Sequence, residues 1–168
     1  MSNSSSNAPD GAAGPGAAAA ASGVPRPVPF ATTLEVRDAC LCLHVQRAAR
    51  MLARRFDEAL RPFGLNNGQF SLLMALNRPE PPPLGPVAQL LGMDRTTLTA
   101  ALKPLQRAGL VKVGIDAKDR RTRRLILTAA GQARLAAAVP VWRAEHRALE
   151  AGLPLDPNLL RDGLKALR

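Results

Sequence analysis

At 168 residues the chain is long enough for one domain with its own core and too short for several. Apolar residues make up 46% of it, yet there are one Trp, four Phe and no Tyr, so the core must consist of Leu, Ala and Val, which favours a mainly helical protein. The formal net charge of +10 indicates an acidic partner, for which nucleic acid and an anionic membrane surface are the usual candidates. The sequence has no apolar run near the ~20 residues that span a bilayer and does not start like a signal peptide, so we expect a cytoplasmic protein without a membrane partner.

Residues 1–30 are rich in Ser, Ala, Gly and Pro and hold almost no large apolar side chains. Such a segment cannot bury enough apolar surface to offset the entropy that it would lose on ordering. We therefore predict a disordered tail over residues 1–30, followed by one folded domain over residues 31–168.

A long first helix is predicted over residues 33–63. Its large residues recur at spacings of three and four, which is typical of one buried stripe. These residues are Val45, Ala49, Leu52, Phe56, Leu60 and Phe63. Asn66 or Asn67 can cap a second helix that runs to about Asn77.

A helix-turn-helix pattern follows the proline-rich segment 79–83. A short helix is predicted over residues 85–91 and a Gly-containing turn over residues 92–94. The next helix has Asp94 as its cap and ends at Gly109.

A β-hairpin is predicted directly after this second helix. Residues 110–115 and 122–127 alternate in polarity and contain β-branched residues, and the DAKDRR sequence between them is polar and turn-prone. Thr128 then caps a last long helix, and Asp156 with Pro157 starts a short terminal one. The predicted fold is mainly α with a small β-wing, that is, a winged helix-turn-helix.

Positive charge is concentrated in the second helix of this motif and in the hairpin. Residues 94–124 hold nine Lys or Arg residues against three Asp residues, which supplies +6 of the +10. A basic helix face is often only a solvated surface, but these two elements are the ones with which a winged helix meets DNA. Arg123 and Arg124 point to opposite faces of a strand, so we expect one of them to pair with Asp119 or another acid.

The order of these parts resembles the MarR family of transcription factors over roughly residues 35–168. The segments that carry the resemblance are LGMDRTTLTAALKPLQRAGLV and KDRRTRRLILTAAG. It implies a sequence-specific repressor, released by a small-molecule or oxidative signal, that binds a pseudo-palindromic operator in double-stranded DNA as a homodimer. It also implies a winged helix-turn-helix over about residues 66–128 and dimerisation helices over about residues 33–63 and 128–168.

Eight residues are predicted to contact DNA. Side chains just after the cap of a recognition helix reach base edges, so we expect Arg95 to bind guanine and the threonines to meet bases and phosphates. The resemblance implies that Arg121 enters the minor groove. Pro104 departs from the family pattern and predicts a kink, or base contacts confined to the first two turns. The predicted set is Arg95, Thr96, Thr97, Thr99, Lys103, Lys118, Arg120 and Arg121.

Two switches are compatible with the residues. The first is oxidation of Cys42, whose position in the first helix is similar to that of a cysteine in the organic-hydroperoxide-sensing branch of the family. That branch stabilises its thiolate with tyrosines, and this chain has no tyrosine. The competing interpretation is that Cys42 is a small buried hydrophobe. The other switch is an aromatic or phenolic effector bound between the dimerisation helices and the DNA-binding lobe. Its candidate pocket residues are His44, Arg47, Phe70 and Trp142, and a lone His or Trp is more often a packing residue.

Catalytic and metal-binding motifs are missing from the sequence. It has two His residues, no Gly-x-Ser-x-Gly and no phosphate-binding Gly-Lys-Ser/Thr loop, and Cys40 with Cys42 cannot build a four-ligand zinc site. We therefore expect no enzyme, no cofactor and no metal. A non-specific architectural DNA-binding protein is the alternative function, since phosphate attraction alone gives salt-dependent binding.

Overall fold

A computed structural model describes residues 27–116 and 119–167. These residues form helices α1 (Phe30–Ala39), α2 (Leu41–Leu60), α3 (Asn67–Leu76), α4 (Leu84–Leu90) and α5 (Arg95–Arg107), strands β1 (Val111–Ile115) and β2 (Arg123–Leu127), and helices α6 (Ala129–Ala151) and α7 (Pro157–Lys165). The predicted class, mainly α with a small β-wing, is confirmed. Of the predicted tail, residues 1–26 lie outside the described residues. No described helix is both long and apolar enough to cross a membrane.

The first long helix is interrupted at Cys40, so the prediction of one continuous helix over residues 33–63 is wrong there. Cys40 has ψ 103°, an extended value at which the helical hydrogen-bond ladder cannot continue. The chain divides into two compact units next to this residue, Met1–Leu41 and Cys42–Arg168. α1 belongs to the first unit, and none of its residues is buried.

Leucines form most of the core of the second unit. Leu72 and Leu73 come from α3, and Leu98, Leu102 and Leu105 come from one face of α5. Each of these five side chains is at most 2% exposed. Because α5 buries this single face, its opposite face and its first turn remain at the surface.

Polar caps begin the helices at the residues that the sequence indicates. The side chain of Asn66 accepts a hydrogen bond from the Gln69 backbone N–H (2.8 Å), and Gln69 Oε1 accepts one from the Asn66 N–H (3.0 Å), which is a capping box. Thr128 Oγ1 accepts from the Gly131 N–H (3.0 Å) at the start of α6. α5 continues through Pro104 to Arg107, so this proline does not end the helix.

The predicted stripe on α2 is buried only near its C-terminal end. Phe56 and Leu60 are buried, whereas Val45 is 38% and Leu52 40% exposed. The prediction of a buried stripe is therefore wrong for the first half of α2 in the single chain, because no described element of this unit covers these side chains. Amphipathic spacing shows that a face can be buried but not which molecule buries it.

The wing is a two-stranded antiparallel hairpin in which Val111 lies opposite Leu127 and Ile115 lies opposite Arg123. The proline-rich segment before α4 adds an edge to it: the Leu125 N–H donates to the Pro82 carbonyl at 2.9 Å. The hairpin is therefore fixed to the loop that leads into the helix-turn-helix.

Arg124 strengthens this attachment. Its Nε donates to Oδ2 of the buried Asp116, and its Nη1 donates to the Pro81 carbonyl at 3.0 Å. The expectation that one of Arg123 and Arg124 pairs with an acid is thus confirmed for Arg124, with Asp116 as the acid. Asp119 instead accepts from the Arg121 N–H (3.0 Å) and from the Thr122 hydroxyl (2.8 Å), and so shapes the turn.

Gly131 allows α6 to lie directly against the chain that enters the wing. A Cβ added at this glycine would be 2.2 Å from the Leu110 carbonyl oxygen and 2.7 Å from Cδ1 of Leu127. Backbone cannot give way as a flexible side chain can, so a larger residue must displace the helix or the strand.

We predict that Gly131→Ala lowers the free energy of unfolding by about 1–3 kcal/mol, although alanine by itself favours a helix by about 1 kcal/mol. The measurement is denaturation by urea. Gly68→Ala in α3 is the matched control, because its Cβ would meet Asn66 Oδ1 at an ordinary 3.5 Å. Equal stability of Gly131→Ala and the wild type would contradict the close approach.

Candidate nucleic-acid interface

The exposed start of α5 is held by its cap, Asp94. Asp94 Oδ1 accepts a hydrogen bond from the Thr97 N–H and Oδ2 accepts one from the Thr97 hydroxyl, both at 2.7 Å. The backbone hydrogen bond from Thr97, and then the one from its side chain, lower the pKa of Asp94. The carboxylate therefore stays charged and directed to the helix terminus, which places its negative charge among N–H groups rather than in front of the helix.

The three predicted threonines are exposed on the first turns of α5. The Thr97 hydroxyl donates to Asp94, and the Thr99 hydroxyl donates to the Arg95 carbonyl at 2.7 Å. These two residues thus use their hydroxyl hydrogen inside the helix and present a methyl group and oxygen lone pairs to a partner. Within the described residues, the Thr96 side chain makes no hydrogen bond, so its hydroxyl can donate outward.

Arginines from α5 and from the wing meet in one open cleft. Arg95, Arg121 and Arg123 line it together with the segment 83–86 at the start of α4, and its volume is about 350 Å³. Nη2 of Arg95 lies 3.8 Å from the position that a Cβ on Gly85 would occupy. The Arg95 side chain therefore lies beside the first turn of α4. We call this feature the arginine cleft.

The remaining predicted cations lie around this cleft without lining it. Lys103 is exposed on α5, Arg120 is exposed in the turn of the wing, and Lys118 lies outside the described residues. Arg123 was not among the predicted DNA contacts. The alternation of a strand could have identified it, because Arg124 turns to Asp116 and leaves Arg123 on the other face.

The predicted effector pocket is assembled only in part. Phe70 and Trp142 stack with ring centroids 5.9 Å apart and line a cavity of about 320 Å³ together with Arg143. His44 and Arg47 are exposed on α2 and do not line this cavity. Arg143, which was not among the predicted pocket residues, lines the cavity, whereas the predicted Arg47 does not.

Cys42 is exposed at the start of α2, so the interpretation of a small buried hydrophobe is wrong for the single chain. Gln46, one turn later, donates a hydrogen bond from Nε2 to the sulfur at 3.1 Å. The thiol is therefore accessible and has a polar neighbour. Among residues 27–116 and 119–167, no three His, Cys, Asp or Glu side chains come together in a way that suits a metal ion.

Known proteins match this architecture. A family model described as the MarR family matches residues 63–122. The crystal structure of the transcriptional regulator MosR from M. tuberculosis, in complex with DNA, is similar with a TM-score of 0.69 and 40% sequence identity, over 76% of this chain and 92% of that chain.

Two more distant relatives agree with this match. CouR from Rhodococcus jostii RHA1, bound to p-coumaroyl-CoA, is similar with a TM-score of 0.67 and 25% identity, over 77% of this chain and 92% of that chain. YwoH of Bacillus subtilis, an uncharacterised HTH-type transcriptional regulator, is 30% identical over 84 residues, which are 50% of this chain and 61% of YwoH. The chain thus spans less than two thirds of this curated relative.

The family match covers the helix-turn-helix and the turn of the wing, and the similarity to MosR extends over nearly all of that protein. Proteins of this family regulate transcription and are not enzymes, which agrees with the expectation from sequence. This chain therefore belongs to the MarR family of winged helix-turn-helix transcriptional regulators.

Proposed function

We propose that the protein is a homodimeric, sequence-specific DNA-binding repressor, which releases a pseudo-palindromic operator when it binds an aromatic effector. The observation that carries this proposal is the arginine cleft, in which the start of the exposed helix α5 and the wing share one cationic surface. Two separate basic patches would favour non-specific attraction to DNA phosphates. One continuous basic surface can instead contact a DNA groove and the sugar-phosphate backbone beside it.

α5 has the shape of a recognition helix. Its inward face is held in the core by three leucines, and its first turns are exposed and carry the threonine side chains. The N-terminal end of such a helix enters the major groove, where threonine methyl and hydroxyl groups can meet base edges. The wing then lies over the flanking minor groove, with Arg121 exposed in its turn.

A second copy of the chain is the partner that the exposed apolar residues favour. Val45, Met51 and Leu52 on α2 are 38–62% exposed, and Leu159 and Leu160 on α7 are 68% and 42% exposed. Apolar faces of this kind on amphipathic helices usually mark a contact with another chain. A two-fold dimer would also present two recognition helices to the two halves of one operator.

The cavity beside Trp142 supports a small-molecule signal. It is mainly apolar, has two stacked rings on its wall and Arg143 at its edge, and its size of about 320 Å³ suits a single aromatic acid. CouR, a transcriptional repressor, binds an aromatic CoA ester. For this chain we propose an aromatic effector that has no CoA group.

Oxidation of Cys42 is the second candidate for the signal. The exposed thiol favours this candidate, because an oxidant can reach its sulfur, and the sulfur accepts a hydrogen bond from Gln46. Cys42 lies in the first half of α2, whose exposed apolar residues we assign to the dimer contact. Oxidation of Cys42 would weaken that contact.

We predict that nuclease footprinting on DNA selected from the source genome protects a pseudo-palindrome whose half-sites are about 10 base pairs apart, because the two recognition helices of a dimer enter successive major grooves. Light scattering of the free protein should give twice the chain mass of 17.8 kDa. Uniform protection of unrelated DNA would instead support the architectural alternative.

We predict that Arg121→Ala weakens operator binding roughly ten-fold, with little dependence on the central bases, because a wing arginine contacts the minor groove and backbone. Gel-shift titration measures this effect. Arg147→Ala on α6, which is also exposed and removes the same charge, is the control and should bind as the wild type does. Unchanged affinity of Arg121→Ala would refute the role of the wing.

We predict that a flat aromatic acid such as a hydroxycinnamate raises the melting temperature and reduces operator binding, and that Arg143→Ala loses both effects because the carboxylate loses its counter-charge. His44→Ala is the matched control, since His44 does not line the cavity. If no aromatic acid acts, and peroxide releases DNA from the wild type but not from Cys42→Ser, then oxidation is the signal and the aromatic effector is wrong.

A further inference from the structure

We infer that Arg95 and Arg123 together hold one phosphate of the DNA backbone in the arginine cleft, and that Arg95 does not read a base. This inference rests on the proposed function, because it assigns a partner to one part of the same interface. It differs from the guanine contact that the position of Arg95 predicts from sequence.

The direction of the Arg95 side chain is the first step. A base-reading residue at the start of a recognition helix extends forward into the major groove. The Arg95 guanidinium instead lies beside Gly85 in the first turn of α4, with Nη2 3.8 Å from the Cβ position of that glycine. Within the described residues its side chain makes no hydrogen bond or ion pair, so its five N–H donors are open to a ligand.

The charge of the cleft is the second step. Three arginines and no acidic residue line it, and the neighbouring Asp119 carboxylate accepts hydrogen bonds from the Arg121 N–H and the Thr122 hydroxyl, which leaves the cleft with a net positive charge. Arg124, the neighbour of Arg123, has its charge balanced by Asp116 on the other face of the strand, whereas Arg123 is exposed. Arginines that line one cleft favour an anion between them, and the planar guanidinium group matches phosphate oxygens in pairs.

The position of the cleft is the third step. It lies between the helix proposed to occupy the major groove and the wing proposed to occupy the flanking minor groove. One DNA strand separates two neighbouring grooves, so the group that passes between helix and wing is a backbone phosphate rather than a base edge. A phosphate contact sets the register of the helix and carries no sequence information itself.

The test uses operator duplexes that each carry one uncharged methylphosphonate, with dissociation constants measured by fluorescence anisotropy. For the wild type, one position in each half-site should cost roughly ten-fold in affinity. Arg95→Ala and Arg123→Ala should each bind the normal operator about as weakly, and should no longer respond to that position. In both variants, the ratio between the affinity for the operator and the affinity for duplexes with substituted G·C pairs should stay at its wild-type value. The slope of log K against log salt concentration should fall by about 0.9 for each phosphate that is no longer neutralised.

Two further variants keep the result interpretable. Arg95→Lys should recover only part of the affinity that Arg95→Ala removes, since the charge remains but the paired guanidinium hydrogen bonds are lost, and circular dichroism melts check that each variant is folded. Arg147→Ala removes one exposed arginine outside the cleft and should leave the methylphosphonate pattern unchanged.

Three results would overturn the inference: a full methylphosphonate response in Arg95→Ala, loss of preference for one guanine in that variant, or a cleft that binds inorganic phosphate while no backbone position depends on Arg95. Failure of the proposed function looks different. In that case the wild type would bind the operator and unrelated DNA equally, and no single methylphosphonate position would lower its affinity. Failure of the inference alone leaves a position-dependent response that Arg95→Ala and Arg123→Ala retain.

Discussion

The interface depends on the ion pair between Arg124 and Asp116. Asp116 is buried next to the hairpin, and Arg124 connects it to the carbonyl of Pro81. A buried carboxylate is costly unless it is paired and hydrogen-bonded, so the pair resists any displacement of the wing from the proline-rich loop. Since that loop leads directly into α4, the same contact fixes the distance between the wing and the helix-turn-helix.

This attachment gives two neighbouring arginines different roles. Arg124 is used to hold the hairpin, and Arg123 is left on the open face beside Arg95 and Arg121. The core also helps to expose Arg95, because the three buried leucines of α5 keep the first turn of this helix at the surface. The backbone positions of Arg95 and Arg123 are thus held by contacts within the chain, which reduces the ordering cost of binding.

The single chain leaves much apolar surface uncovered outside this lobe. The first half of α2 and all of α7 bury no side chain, whereas α3, α5 and the wing share a closed core. The apolar faces left exposed on α2 and α7 are therefore the ones available to another molecule. The ion pair between Arg55 and Glu145 and the contact between the Phe56 and His146 rings join α2 to α6, and the His146 ring in turn contacts Trp142 beside the cavity.

The amino-acid sequence was enough to predict the fold class and the family resemblance. It also predicted the helix caps at Asn66, Asp94 and Thr128, the hairpin, and the concentration of charge after residue 94. These features depend on neighbours in the chain, so periodicity and capping rules reach them. Three features became visible in the folded chain alone: α2 begins after a break at Cys40, Arg143 rather than Arg47 lines the cavity, and Arg95 turns toward α4. Each of these depends on residues far apart in sequence or on one backbone angle, and an alternation of polar and apolar residues carries no information about either.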